Sequence, residues 1–80
     1  MNITFSNGVP VAMNGEYSVT VTVTTTGTFK LQTRNSAATA WVDVPSTSKS
    51  ASDALNVKIS GEVNPVITGD ATATAVQIHV

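Results

Sequence analysis

Between residues 17 and 33 the chain reads YSVTVTVTTTGTFKLQT, and its apolar residues fall at every second position. Tyr17, Val19, Val21 and Val23 alternate with Ser18, Thr20, Thr22 and Thr24, the period of a strand with one buried face. Phe29, Leu31 and Thr33 then alternate with Thr28, Lys30, Gln32 and Arg34, so a second strand follows at once. Residues opposite one another in an antiparallel pair share a face. Setting Thr24 against Thr28 aligns Val23 with Phe29, Val21 with Leu31 and Val19 with Thr33. The loop is then Thr25-Thr26-Gly27, with Gly27 in the left-handed conformation that glycine adopts freely. A two-residue loop would put Val23 against Lys30 and mix the faces. The stretch predicts a central hairpin of fixed register.

The flanking sequence extends the same grammar. Residues 2–6 place Ile3 and Phe5 on one side of a first strand, and Asn7-Gly8 is a turn signal. Residues 9–13 read as a short second strand, held to a sheet edge by Pro10, which has no ladder donor. Asn14-Gly15 predicts a turn into the hairpin. After Asn35-Ser36 comes AATAWVDV, whose facing depends on loop parity. An even loop sets Ala38, Ala40, Val42 and Val44 with Phe29 and Leu31. An odd loop sets Thr39, Trp41 and Asp43 there instead. The shortage of bulky residues favours Trp41 inside, because Trp brings the largest apolar area. Either way something apolar faces outward, which points to a second sheet or a neighbouring subunit at this strand.

Residues 45–53, PSTSKSASD, read as an exposed loop. Leu55, Val57 and Ile59 alternate with polar residues, residues 61–65 break the pattern, Val66-Ile67 is a short apolar run, and Gly69-Asp70 turns again. In the last strand Val76, Ile78 and Val80 alternate with Ala75, Gln77 and His79. Seven to eight short strands with regular turn signals predict an all-β domain, an antiparallel β-sandwich or jelly roll spanning residues 1–80.

Size and charge narrow the function classes. Eighty residues without cysteine must be stabilised by one small core, with no disulfide or thiolate metal site to help. Most apolar residues are Val and Ala, and such a thin core favours burial against sister subunits. The net charge is −1, with Lys30, Arg34, Lys49 and Lys58 scattered rather than forming the basic patch a phosphate backbone needs. No apolar run is long enough for a membrane span, and the first residues lack the order of a signal peptide. Neither nucleic acid nor membrane is therefore expected as a partner.

No chemical constellation emerges. His79 is the one histidine, and an exposed or interface role suits it better than catalysis or metal ligation. Glu16, Asp43, Asp53, Glu62 and Asp70 lie in separate turns rather than in a pair or a closely spaced ligand set. The expectation is a non-enzyme with no catalytic residues, metal or cofactor. Thr20, Thr22 and Thr24 with Thr72 and Thr74 resemble the Thr-x-Thr rows of ice-binding surfaces. Yet Thr also suits any solvated strand face, and the predicted hairpin puts Lys30, Gln32 and Arg34 across from the row. Trp41 could serve as a sugar-stacking platform, but a core or interface Trp is the stronger expectation.

Residues 27–45, GTFKLQTRNSAATAWVDVP, resemble a hairpin common in small virion proteins of tailed bacteriophages, the capsid-decoration, head-fibre and tail-accessory kinds. The pattern is a glycine turn, an F-x-L-Q-x-R strand, a polar turn and W-x-D-V, matched by Phe29, Leu31, Gln32, Arg34, Trp41, Asp43 and Val44. That resemblance implies a structural protein, commonly trimeric, assembled in the host cytoplasm and docked on a capsid or tail protein. It carries over no catalytic residue. The expected interface is Ala38, Ala40, Trp41, Val42 and Val44. A small carbohydrate-binding or adhesive module is the alternative.

Overall fold

The computed structural model describes residues 2–34 and 40–79. It contains β1 (Asn2–Thr4), β2 (Val11–Thr22), β3 (Gly27–Arg34), β4 (Val42–Asp43), β5 (Asp53–Gly69) and β6 (Thr72–His79), with no helix among the described residues. All pairings are antiparallel, in one six-stranded sheet of order β1-β6-β2-β5-β3-β4.

The predicted hairpin does not form. β2 and β3 do not pair with each other; both pair with β5. Val19 faces Leu55 and Val21 faces Asp53, whereas Phe29 faces Ile67 and Leu31 faces Pro65. The alternation had assigned faces correctly, since Tyr17, Val19, Val21, Phe29 and Leu31 are all buried. It could not choose the partner strand, because the same parity is satisfied by any neighbour of matching pattern. Gly27 does not take the left-handed conformation either. It is required for space: a Cβ there would lie 2.6 Å from the Ala71 amide nitrogen and 2.9 Å from the Thr68 carbonyl oxygen.

β5 dictates the architecture. Its 17 residues would span about 56 Å if straight, at about 3.3 Å per residue. The longest dimension of the molecule is 34 Å, so the strand must bend. Residues 53–63 pair with β2 and residues 62–69 with β3, and Gly61 stands at the changeover with φ +132°. Only glycine adopts that angle without strain, so Gly61 is where the sheet folds. The two ends of β5 are thereby brought to one short connection. Val23 N–H donates to Ser52 Oγ (2.9 Å), Thr25 N–H donates to Asp70 Oδ2 (2.6 Å), and Asp70 N–H donates to the Thr26 carbonyl (3.1 Å). Residues 23–26 thus cross from one half of the sheet to the other instead of closing a hairpin.

Folding the sheet creates the core. Ile3, Phe5, Met13, Tyr17, Val19, Val21, Phe29, Leu31, Val57, Ile59, Val63, Ala73 and Ala75 form one buried cluster. Phe5, just beyond β1, meets Phe29 of β3 with ring centroids 5.8 Å apart, although their strands are far apart in the sheet order. The segment after β1 also returns to β5: Gly8 N–H donates to the Pro65 carbonyl (2.9 Å), and Asn7 Oδ1 accepts from Ile67 N–H (2.8 Å). Pro65 is tolerated inside the strand because its ring nitrogen faces this side. Opposite it, the Leu31 amide is directed to Thr47 rather than across to β5.

Six strands replace the predicted seven to eight because two presumed turns are strand interior. β2 runs through Asn14-Gly15, with a register shift at Glu16/Tyr17, and β5 runs through Gly61 and Pro65. In β6 the small residues Ala73 and Ala75 face the core, while Val76 and Ile78 face out. Their large neighbours explain this: Ala75 stands between Ile3 on β1 and Val19 on β2, leaving little room for a bulkier side chain.

Candidate functional surfaces

The folded sheet presents two outer faces. On the half made by β1, β6, β2 and the first part of β5, cross-strand partners form rows. One row is Thr4, Thr74, Thr20 and Ala54; the next is Asn2, Val76, Ser18 and Asn56; Thr72 and Thr22 face each other in a third. Ser18 is partly buried and the others are exposed. None carries a charge. The face is bounded at one end by Glu16, opposite Lys58 on β5 and His79 on β6. Val76 is 46 % and Ile78 51 % exposed.

This arrangement brings Thr20 against Thr74 and Thr22 against Thr72, joining Thr residues that are distant in sequence. Lys30, Gln32 and Arg34 do not face the row. The predicted hairpin had placed them there, and β5 now separates them from β2.

The other face, on β4, β3 and the second part of β5, holds those polar side chains in a connected ladder. Arg34 Nε donates to Glu62 Oε1 (2.7 Å), with Nη2 also 2.7 Å from the same oxygen. Asn64 Nδ2 donates to Gln32 Oε1, and Gln32 Nε2 donates to Asp43 Oδ1, both at 3.1 Å. Lys30 Nζ lies 3.4 Å from the same Asp43 oxygen. The Gln32 hydrogen bond, then the Lys30 charge, hold the Asp43 carboxyl below the usual aspartate range. Thr28 and Thr68 hydroxyls meet at 2.5 Å.

Of the sequence-predicted interface, Ala40 and Val42 are exposed, Val42 at 63 %, while Trp41 and Val44 are partly buried. Ala38 lies outside the described residues. The even parity holds: Val42 faces Thr33, Asp43 faces Gln32, and Val44 packs against the core. Trp41 is therefore not a core residue. It sits on the polar face with the Arg34 guanidinium 4.1 Å above its ring, a cation–π stack. Val44, not Trp41, takes the place against the core in this segment, and the Arg34 guanidinium lies over the Trp41 ring instead.

Residues 45–53 are not simply an exposed loop, because they seal the edge of β3. Val44 N–H donates to the Leu31 carbonyl (2.9 Å), and Phe29 and Lys49 exchange both backbone hydrogen bonds at 2.8 and 2.7 Å. Between them Thr47, wholly buried, stands in for backbone: its Oγ1 accepts from Leu31 N–H (3.1 Å) and donates to the Val44 carbonyl (2.8 Å). Sequence reasoning missed Thr47, and nothing in a Ser/Thr-rich run distinguishes a buried hydroxyl from a solvated one.

The remaining acidic groups are accounted for locally. Asp53 lies 3.0 Å from Lys49 Nζ and accepts from Ala54 N–H; that lysine hydrogen bond and the amide lower its pKa. Asp70 caps residues 25–26, with Thr26 N–H at 3.4 Å as well. No group of three or more His, Cys, Asp or Glu side chains converges among the described residues. An open cleft of about 440 Å³ lies beside β4, lined by Thr33, Val42, Val44, Ile59 and Lys58 among others. No family model matches the chain, and no curated protein or solved structure is significantly similar to it.

Proposed function

We propose that this chain is a non-enzymatic structural protein of a bacteriophage virion, of the capsid-decoration, head-fibre or tail-accessory kind. On this reading the folded sheet is a minimal β-sandwich, and the protein is a homo-oligomer that docks on a capsid or tail protein. The observation that carries the reading is the pair of outer faces on one small folded sheet, one uncharged and one polar. Such a body suits contact with other proteins. The particle class rests on the resemblance of residues 27–45, whose described part builds β3, β4 and the start of the β3 edge seal. The binding logic is multivalency: several copies held on a symmetric particle gain 10²–10⁴-fold, roughly, over one contact alone. Three-fold association is what the resemblance implies. At the predicted interface Ala40 and Val42 are the side chains free to meet a neighbour, since Arg34 stacks on Trp41 and the core holds Val44.

A glycan-binding module is the second reading, favoured by one observation. Trp41 lies on the polar face and is only partly buried, so its ring offers an aromatic surface of the kind on which sugars stack. Protein mass spectrometry of virions purified from the source culture tests the first reading. The expected result is the chain present in many copies per particle; its absence from intact particles overturns the proposal. Specific binding on a glycan array, lost in Trp41→Ala, would install the second reading in its place.

A further inference from the structure

We infer that the uncharged face of β1, β6, β2 and the first part of β5 is the seat of a second copy of this chain, packed face to face about a two-fold axis. The inference rests on the self-association in the proposed function and assigns its surface and symmetry.

Charge comes first. In a two-fold contact a surface meets itself, so any net charge on it meets like charge. Asn2, Thr4, Ser18, Thr20, Thr22, Ala54, Asn56, Thr72, Thr74 and Val76 carry none, and Glu16 and Lys58 at the boundary offset one another. The ladder face is the opposite case. Its Lys30, Arg34, Asp43 and Glu62 are already tied to one another, and a partner there would have to break or desolvate those bonds.

Entropy points the same way. Thr and Val are β-branched, restricted at χ1 before any contact forms, and Ser and Ala have little freedom to lose. Ordering this face costs less than ordering long Lys, Gln and Arg side chains.

Area sets the strength. Four strands about 4.8 Å apart and some five residues long give a patch of roughly 300 Å² in plan. That is well below the about 800 Å² per partner of a standard interface. The pair is therefore a weak, concentration-dependent dimer, made tight only where copies are held together on a particle. A three-fold ring would need another contact, at Ala40 and Val42.

Sedimentation equilibrium of the full chain over a wide concentration series tests this. A reversible monomer–dimer equilibrium is expected, weakened about tenfold or more by Thr20→Lys. Gln32→Lys on the ladder face should leave it unchanged, and thermal melts of both variants confirm folding. Thr20→Lys and Thr20→Glu mixed in equal amounts should associate better than either alone. A wild-type chain that stays monomeric throughout overturns the inference, as does a trimer or dimer that survives Thr20→Lys. Dissociation by Ala40→Lys with Val42→Lys, but not by Thr20→Lys, also overturns it. So does thermal hysteresis from a monomeric wild type that Thr20→Lys abolishes, because the face would then bind ordered water. None of these outcomes depends on whether virions carry the chain, so the two proposals fail separately.

Discussion

The two outer faces of this molecule use polar side chains in opposite ways. On the ladder face each polar group has found a partner within the chain: Arg34 with Glu62, Asn64 with Gln32, Gln32 and Lys30 with Asp43. On the Thr face the hydroxyls of Thr4, Thr20, Thr22, Thr72 and Thr74 stand exposed to solvent. The first arrangement spends its hydrogen-bonding capacity on stability and register. The second leaves that capacity open at low entropic cost. Thr47 shows what a threonine does when it is structural: it is buried and bonded to two backbone groups.

The sharpest way to break the comparison is one substitution made at two threonines. Thr47→Val keeps the shape but leaves the Leu31 amide and the Val44 carbonyl without their hydroxyl partner, so it should destabilise by about 2 kcal/mol. Thr20→Val on the open face should stay within about 0.5 kcal/mol of wild type. Urea midpoints of both variants decide. Equal effects would mean that the hydroxyls of the Thr face are structural after all.

A smaller effect probes the ladder. Arg34→Ala removes the Glu62 pair and the Trp41 stack together and should cost about 1 kcal/mol, since both partners retain some solvent contact. Loss of the stack should also shift Trp41 fluorescence, whereas Thr22→Ala should leave that emission alone. An unshifted spectrum in Arg34→Ala would remove Trp41 from the ladder.

The smallest effect is acid sensitivity. Asp43 and Asp53 have lowered pKa values when folded, so their contributions to stability are present above the ordinary aspartate pKa and fade as pH falls through the lowered values. Both are exposed, so the slope is shallow. Asp43→Asn combined with Asp53→Asn should flatten the acid limb of a stability–pH profile by slightly lowering the neutral plateau, because Asn mimics the protonated carboxyl, and should leave the acid end unchanged. A limb as steep as wild type would show that other groups set it.

Local pattern determined much of this protein. The all-β class, the buried faces of β2 and β3, and the turn at Gly69-Asp70 were legible, because side-chain alternation and turn chemistry are properties of neighbouring residues. The partner of each strand was not. Parity accepts the hairpin as readily as the observed pairing through β5, and only a bent β5 lets β2 and β3 both find a neighbour while Phe5 reaches Phe29. Asn14-Gly15 and Gly61 likewise signal a break in regular backbone without saying whether the chain turns back or merely bends. Trp41 followed the same rule: its sequence neighbours left two facings open, and in the structure Val44 takes the place against the core while the Arg34 guanidinium lies over the Trp41 ring. The two faces themselves were decided by the tertiary structure alone. Residues such as Thr20 and Thr74 became one surface when β6 settled beside β2, a pairing between segments that only the shared core brings together.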